Sequence, residues 1–239
     1  MSIKKILVKN FITYRIYLYY NLYIRHKAFK KKHTYSQWGE DQIIKKFFEN
    51  TKKGFYIDIG SFHPIMYSNT CFLNNSGWSG VNIDLNQTSI DLFNIMRPND
   101  LNICAAISDK IEERDLYIDH LFSPVNTINK SLYENADKNI LFKDLIKKKI
   151  KTETFSNIIK KVGKLPEINF LNIDCEGNDY SVLNSIDLKY YKPELICVET
   201  HDVNNKETFL YKDIVKLLEK TDYKIYQRCG PSTFFNVYK

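Results

Sequence analysis

Apolar residues recur along the chain in two rhythms. Short runs bounded by glycine, proline or polar residues read as buried β-strands: "FYIDI" (55–59), "GVNIDL" (80–85), "LNICAAIS" (101–108), "EINFLNIDCEG" (167–177) and "PELICVETHD" (193–202). Between them the spacing turns helical. Ile43, Ile44, Phe47 and Phe48 follow the early acids Glu40 and Asp41, which suit a helix N-terminus. A helix is expected from Ser68 through Leu73, ended by Asn74-Asn75-Ser76-Gly77, another over "SIDLFNIM" (89–96) before Pro98, and one over 207–220. "YKIYQRC" (223–229) and "STFFNVY" (232–238) read as two strands joined at Gly230-Pro231.

Strands alternating with helices imply a mostly parallel sheet covered on both faces, and the last pair fits a final strand inserted antiparallel. Ligands of such sheets gather beyond the carboxyl ends of the strands. That rule collects Asp58–His63, Asp84–Asn86, Ala106–Ser108, Asp174–Gly177 and Glu199–Asp202 on one rim. Residues 109–165 are polar and lysine-rich, and read as an insertion of short strands with a helix around 136–150.

With 44% apolar residues and 14% aromatics, the chain has enough to build a core, which excludes a disordered segment. The net charge of +7 is unevenly placed. Residues 1–33 hold nine basic side chains (Lys4, Lys5, Lys9, Arg15, Arg25, Lys27, Lys30, Lys31, Lys32) and no acid. Removing these nine from the 35 Lys and Arg leaves 26 against 28 Asp and Glu. The body is therefore near neutral, which argues against a nucleic-acid enzyme with a basic groove. Residues 3–29 read as an aromatic, basic helix broken near Thr13. It packs on its own domain or on a second subunit, or else lies on an anionic membrane or a partner. The domain division is accordingly 1–33 and 34–239. The five cysteines, Cys71, Cys104, Cys175, Cys197 and Cys229, are far apart and form no CxxC pair. Cys104, Cys175 and Cys197, in or beside apolar runs, read as buried thiols of a reducing compartment. A cytoplasmic protein is expected, with residues 1–33 as its contact to the inner face of the membrane.

Asp84 ends the second strand about 24 residues after Gly60, placed to accept hydrogen bonds from the ribose hydroxyls of an adenosine. Gly60 is the lone glycine after the first strand, and Phe62 and Pro64 stand where a pyrophosphate cradle needs small residues. That disfavours a nicotinamide dinucleotide and suits S-adenosylmethionine, which has no phosphate. Asp58 can face its ammonium. Backbone amides and Ser68-Asn69-Thr70 can face its carboxylate.

The stretch "FYIDIGSFHPIMYSNTCFLNNSGWSGVNIDLNQ" resembles the FkbM-type methyltransferase family, and "FLNIDCEGNDYSVLNSIDLKYYKPELICVE" and "SQWGEDQII" resemble two further blocks of it. The resemblance covers about residues 35–200. It implies a class I S-adenosylmethionine fold, Rossmann-like, with a mostly parallel seven-stranded sheet, helices on both faces and an antiparallel last strand. The implied activity is O-methylation, often of sugars in glycans or surface polysaccharides. The residues it carries over are Asp58, Gly60, His63, Ser68, Asn69, Thr70, Asp84, Asp174, Glu176 and Glu199. Ser61, Leu85 and Ala106 complete the candidate cofactor set, with Asp174 shared between cofactor and chemistry.

A sugar hydroxyl must lose its proton as it attacks a methyl group, which calls for a base or a metal. Asp174, Glu199 and His201 end two strands on the acceptor side. They are the candidate catalytic residues and the candidate ligands of Mn²⁺ or Mg²⁺. Without a metal, His201 or Asp174 is the base; structurally, Asp174 and Glu176 would cap the next helix. His63, confined by Pro64, reads as a turn histidine or a cofactor contact before a base. Trp78 reads as a packing anchor. The leading expectation is a sugar or nucleotide-sugar O-methyltransferase without nucleic-acid partners, as a monomer or homo-oligomer. The alternatives are a non-catalytic adenosine-binding scaffold in a glycan-assembly complex and a nicotinamide oxidoreductase.

Overall fold

The protein is described from a computed structural model covering residues 10–25, 34–120, 122–143 and 145–237. Its strands are β1 (Phe55–Ile59), β2 (Ser79–Asp84), β3 (Leu101–Cys104), β4 (Ala106–Ile107), β5 (Glu113–Ile118), β6 (Ile146–Glu153), β7 (Phe170–Ile173), β8 (Leu195–Glu199), β9 (Tyr223–Cys229) and β10 (Ser232–Val237). Its helices are α1 (Phe11–Tyr20), α2 (Glu40–Phe47), α3 (Cys71–Asn75), α4 (Gln87–Met96), α5 (Lys130–Asn135), α6 (Phe155–Val162), α7 (Asp179–Asn184), α8 (Leu188–Tyr191) and α9 (Tyr211–Glu219). The main sheet runs β3-β2-β1-β7-β8-β10-β9. It is parallel as far as β8, and β10 enters antiparallel between β8 and β9. The alternating pattern implied a mostly parallel sheet with an antiparallel last strand, and the resemblance implied seven strands in a Rossmann-like arrangement; both are present.

The two faces of the sheet are built differently. Ile57, Ile59, Val81, Ile83, Leu171, Ile173, Ile196 and Val198 point to one side, where α6, α7 and α9 cover them with Phe155, Val182, Leu183, Ile214 and Leu218. That layer is wholly apolar. On the other side Tyr56, Phe170, Leu195, Cys197 and Phe234 meet Ile44 and Phe48 near α2 and Leu73 of α3. Trp78 is 4% exposed and packs edge-on against Phe48, as an anchor between helix and strand.

The same second face carries a row of polar side chains one register step across neighbouring strands: Asn102, Asn82, Asp58 and Asn172. Asn172 donates to Asp58 at 2.9 Å and Asn82 to Asn102 at 2.8 Å. Arg97, just past α4, closes the row. Its guanidinium donates to the Thr70 hydroxyl at 2.9 Å, which in turn donates to Asp58 at 2.6 Å. It also donates to the Tyr56 hydroxyl at 3.1 Å, which donates to Asp100 at 2.5 Å. Two further bonds reach the Pro64 carbonyl and Ser68. Arg97, Asp58, Thr70 and Asp100 are all buried, so the network exists only because every charge in it is answered.

Several sequence expectations are corrected. "LNICAAIS" is not one strand: β3 leaves the main sheet at Ala105, whose N–H bonds the Asp84 carbonyl, and β4 joins the insertion sheet. The helix expected around 136–150 is not formed by the described residues: 136–143 run through turns and bends, and the stretch ends in β6, paired antiparallel with β5. Ile146, Ile150 and Thr152 alternate with lysines, and Lys147 and Lys149 bridge across to Asp115 at 2.7 and 3.0 Å. A two-residue period and cross-strand charge pairs therefore decide it. Residues 68–70 stay in turns because their hydroxyls are held by Arg97 and Asp58, so α3 starts only at Cys71. The N-terminal helix is unbroken at Thr13; it begins at Phe11, capped by the Asn10 side chain, and runs into a π-helical turn at Asn21–Arg25. Residues 3–9 and 26–29 of that expected helix lie outside the described residues. Cys71 and Cys197 are buried, whereas Cys104 is exposed, and all five thiols are free.

Replacing Arg97 by Met should cost about 3–5 kcal/mol of stability, because Asp58 and Asp100 would lose the cation that their hydroxyl relays reach. Urea denaturation measures it, and a loss within experimental scatter would show that the network is ornamental.

Candidate functional site

Two open clefts of about 550 and about 530 Å³ share Gly60, Phe62, Pro124, Asp174 and Glu176. They form one groove across the carboxyl ends of β1, β2 and β7. One limb is lined by Asp84, Leu85, Ala105, Ala106, Ile107 and Ile128. The other is lined by Asp58, Ser61, His63, Ser68, Asn69 and Asn172. Most of the expected site residues thus meet in one place.

Gly60 permits the junction. Its φ is +84°, and a Cβ there would stand 1.7 Å from the Asp174 carbonyl oxygen, so only glycine lets β1 and β7 exit this close. Ser61 lines the groove but is 3% exposed, and its hydroxyl is buried without a hydrogen-bond partner among the described residues. His63 serves as a turn residue: its Nδ1 accepts the amides of Ile65 and Met66 at 3.0 and 2.9 Å. Thr70 lies beneath the groove and not on it, fully buried between Arg97 and Asp58. Asp58 lines the groove, yet both its oxygens are held from below by Thr70 and Asn172.

At the far end the loop after β7 is tightly made. Glu176 and Gly177 both take positive φ, 48° and 82°. Asp179 accepts the amides of Cys175 and Gly177 at 2.8 and 3.1 Å, folding the loop onto its own helix. The insertion clamps the same loop from outside, where Thr127 donates to the Glu176 carbonyl and Asn129 to that of Gly177. Asp174, Asp179 and Glu199 each present a carboxylate oxygen, all within 4.8 Å of one another. His201 is not part of that cluster. Its Nδ1 pairs with the Thr200 hydroxyl at 2.8 Å and its ring packs against Tyr211. Asp174 and Glu199 are brought together as expected, but Asp179 takes the third position. It lay within the quoted block, at what becomes the first residue of α7; a cap and a cluster member are indistinguishable at that level. Asp202 turns away to accept the amides of Asn204 and Lys206.

No Lys, Arg or His lies within ion-pair distance of these acids among the described residues. Burial and mutual repulsion therefore push their carboxyls up. Burial, aided by Asp174, raises Glu199 to about 10; burial with Asp179 raises Glu176 to about 7. Burial alone raises Asp179 to about 6, against its backbone bonds. Asp174 opens to the groove but sits among Glu176, Asp179, Glu40 and Asp58, and is also shifted upward. Asp84 reaches about 7 by burial, although it accepts the Asn86 amide at 2.6 Å.

A wider cleft of about 1030 Å³ adjoins the groove at Ile128 and Asn178. Tyr117, Tyr180 and Phe209 give it aromatic surface, and Arg114 and Lys130, paired with Glu112 and Glu134, line it together with Asp115.

Because these acids hold protons more tightly folded than unfolded, the stability they contribute is complete below the ordinary carboxyl value of 3.8. It is lost as pH rises through about 6 to 7, where Asp179, Glu176 and Asp84 ionise. The melting temperature should fall across that window, and Glu176→Gln, which removes one of the carboxyls that ionise in it, should flatten the fall. A melting temperature that climbs over the same range would contradict the repulsive cluster.

No curated protein and no solved structure matches the chain. The profile of the methyltransferase FkbM domain matches residues 58–225, from the Asp58 strand through the last helix into β9. The match contains both limbs of the groove, the acidic loop and the clamping insertion, and it sets aside the nicotinamide oxidoreductase. The chain belongs to the FkbM methyltransferase family, and it is a methyltransferase.

Proposed function

We propose that the protein is an S-adenosylmethionine-dependent O-methyltransferase acting on a sugar hydroxyl, in a nucleotide-sugar or surface-polysaccharide precursor. The observation that carries this reading is the single groove that starts at Asp84 and ends at the uncompensated acids Asp174 and Glu199. Its residues fit a cationic, phosphate-free cofactor. An uncompensated acidic rim attracts positive charge and repels a pyrophosphate.

The cofactor when bound supplies an electrophilic methyl group on a sulfonium. Asp84 would hold the ribose hydroxyls at the end of β2. Leu85, Ala106 and Ile107 would wall the adenine. Asp58, Gly60, Ser61, His63, Ser68 and Asn69 would surround the amino-acid end, with Thr70 supporting Asp58 from behind. Asp174 would take the acceptor proton, with Glu199, raised to about 10 and so protonated near neutral pH, as its orienter. A carboxylate raised toward or above neutrality is a stronger base than an ordinary one, which suits removal of a proton from an alcohol. His201, tied to Thr200, does not join in this scheme.

The oxygen donors of Asp174, Asp179 and Glu199 also suit a hard divalent ion, Mg²⁺ or Mn²⁺. With imidazole outside the set, the ligands do not distinguish Mn²⁺ from Mg²⁺. Such an ion, when bound, would stabilise a developing alkoxide. The adjoining cleft supports a sugar acceptor: Tyr117, Tyr180 and Phe209 offer stacking surface, and Arg114 and Lys130 would meet a diphosphate.

Asp84→Asn should weaken S-adenosylhomocysteine binding by about 1.5–3 kcal/mol, the scale of a hydrogen bond to a charged group, and leave the melting temperature nearly unchanged. Calorimetry reads it, and unaltered affinity would take Asp84 out of the site. A methyl-transfer screen across nucleotide-sugars, with and without chelator, tests the reaction. Turnover that stops in chelator and returns with Mg²⁺ or Mn²⁺ supports the metal. Full turnover in chelator leaves the carboxylate base, and binding without any turnover leaves the adenosine-binding scaffold.

A further inference from the structure

Helix α1 and its π-helical turn are apolar on both sides, though only one side is used inside the fold. Leu18 and Leu22 are buried against Met66, Leu92 and Phe122, and the Tyr14 hydroxyl donates to Asp91 of α4 at 2.5 Å. The outward side carries Phe11 (71% exposed), Ile12 (66%), Ile16 (61%) and Ile24 (65%), with Tyr19, Tyr20 and Tyr23 each above 40%. The spacing 12, 16, 19, 20, 23, 24 is one continuous helical stripe. A stripe of this size on a soluble surface marks a docking face.

Three features identify what docks there. Residues 1–33 carry nine Lys and Arg and no acid, so the partner is anionic. A second copy of the helix would bring two such segments together and repel itself. Tyrosine, apolar in its ring and polar at its tip, suits a surface that is wet on one side and oily on the other. Arg15, over the Phe11 ring at 5.5 Å, keeps its charge beside the apolar face. No helix among the described residues is long and apolar enough to cross a membrane, which leaves a helix lying flat on one. We infer that the outward face of α1 and the Asn21–Arg25 turn docks on an anionic phospholipid bilayer, its aromatic and aliphatic stripe entering the interface while the basic segments engage the headgroups. Apolar insertion and basic attraction are the two signals that together give a stable peripheral attachment.

The test is sedimentation of the full-length protein with phosphatidylcholine vesicles, with and without phosphatidylglycerol. Binding is expected only to the anionic vesicles and should weaken with salt. The triple variant Ile12→Ser, Ile16→Ser, Ile24→Ser should bind roughly tenfold more weakly or worse. Its melting temperature should hold, since these side chains touch solvent. In a second variant, Ile16→Trp, tryptophan emission should shift to the blue on vesicle binding and be quenched by brominated lipid. Absence of binding to anionic vesicles, or binding that survives the triple substitution, would overturn the inference. So would a dimer by light scattering that the same substitutions dissolve, since the face would then belong to a second copy.

Discussion

The structure depends on one buried cation. Arg97 sits under the groove, with two carboxylates within reach only through hydroxyls: Thr70 relays to Asp58, and Tyr56 to Asp100. Removing a guanidinium and two carboxylates from water is costly, and hydrophobic replacements of similar shape often serve stability as well or better. What the network adds is position. Its bonds reach β1 through Tyr56, the 64–70 turn through Pro64, Ser68 and Thr70, and β2 through Asn82. Asp100 takes up the Gly80 amide and Asn82, joining the end of α4 to the start of β2. The turn that forms one limb of the groove is thereby fixed to the strand that forms the other.

The acidic rim follows from the same layout. The Arg97 charge is spent below the sheet ends on Asp58 and Asp100, and nothing comparable stands above them. Asp174, Glu176, Asp179 and Glu199 therefore face one another, and burial and repulsion lift their carboxyls toward or past neutrality. Two residues at positive φ and a clamp from the insertion hold the loop in place. Strain and repulsion tolerated at one location are the marks of a functional site.

Much of this was legible in the sequence, for identifiable reasons. The apolar runs are short and sharply bounded, so the mostly parallel sheet and the inserted last strand could be read from alternation, whereas the strand order appears only in the structure. Asp58, Asp84, Asp174 and Glu199 were legible because each ends an apolar run, where a parallel sheet must expose its rim. Arg97 was not, since an arginine before Pro98 looks like a solvated helix end. Asn82 and Asn172 were also passed over, although each repeats the pattern of a polar residue inside a strand end ("GVNID", "FLNID") that Asp58 shows in "FYIDI". Three such residues at one register are a signal for a polar ladder, but it becomes visible only once the strands are placed side by side. Thr70 shows the reverse error: it lies in the motif stretch that lines the groove, yet its hydroxyl is spent beneath it on Asp58. His63 is the turn histidine expected, its Nδ1 held by the local backbone.

The N-terminal helix is tied to this machinery through α4. Asp84 accepts the Asn86 amide, Asn86 caps α4 through Thr88, and one turn further Asp91 takes the Tyr14 hydroxyl of α1. The path from the outward stripe to the ribose-side acid is therefore one helix cap and one tyrosine long. Phe122, from the insertion, closes it on the other side, packing with Leu18, Leu22 and Leu92 and stacking on Phe62 at 4.5 Å. Phe62 itself lines the groove. A surface that engages α1, as inferred above, would therefore lie one helix cap and one tyrosine away from the groove.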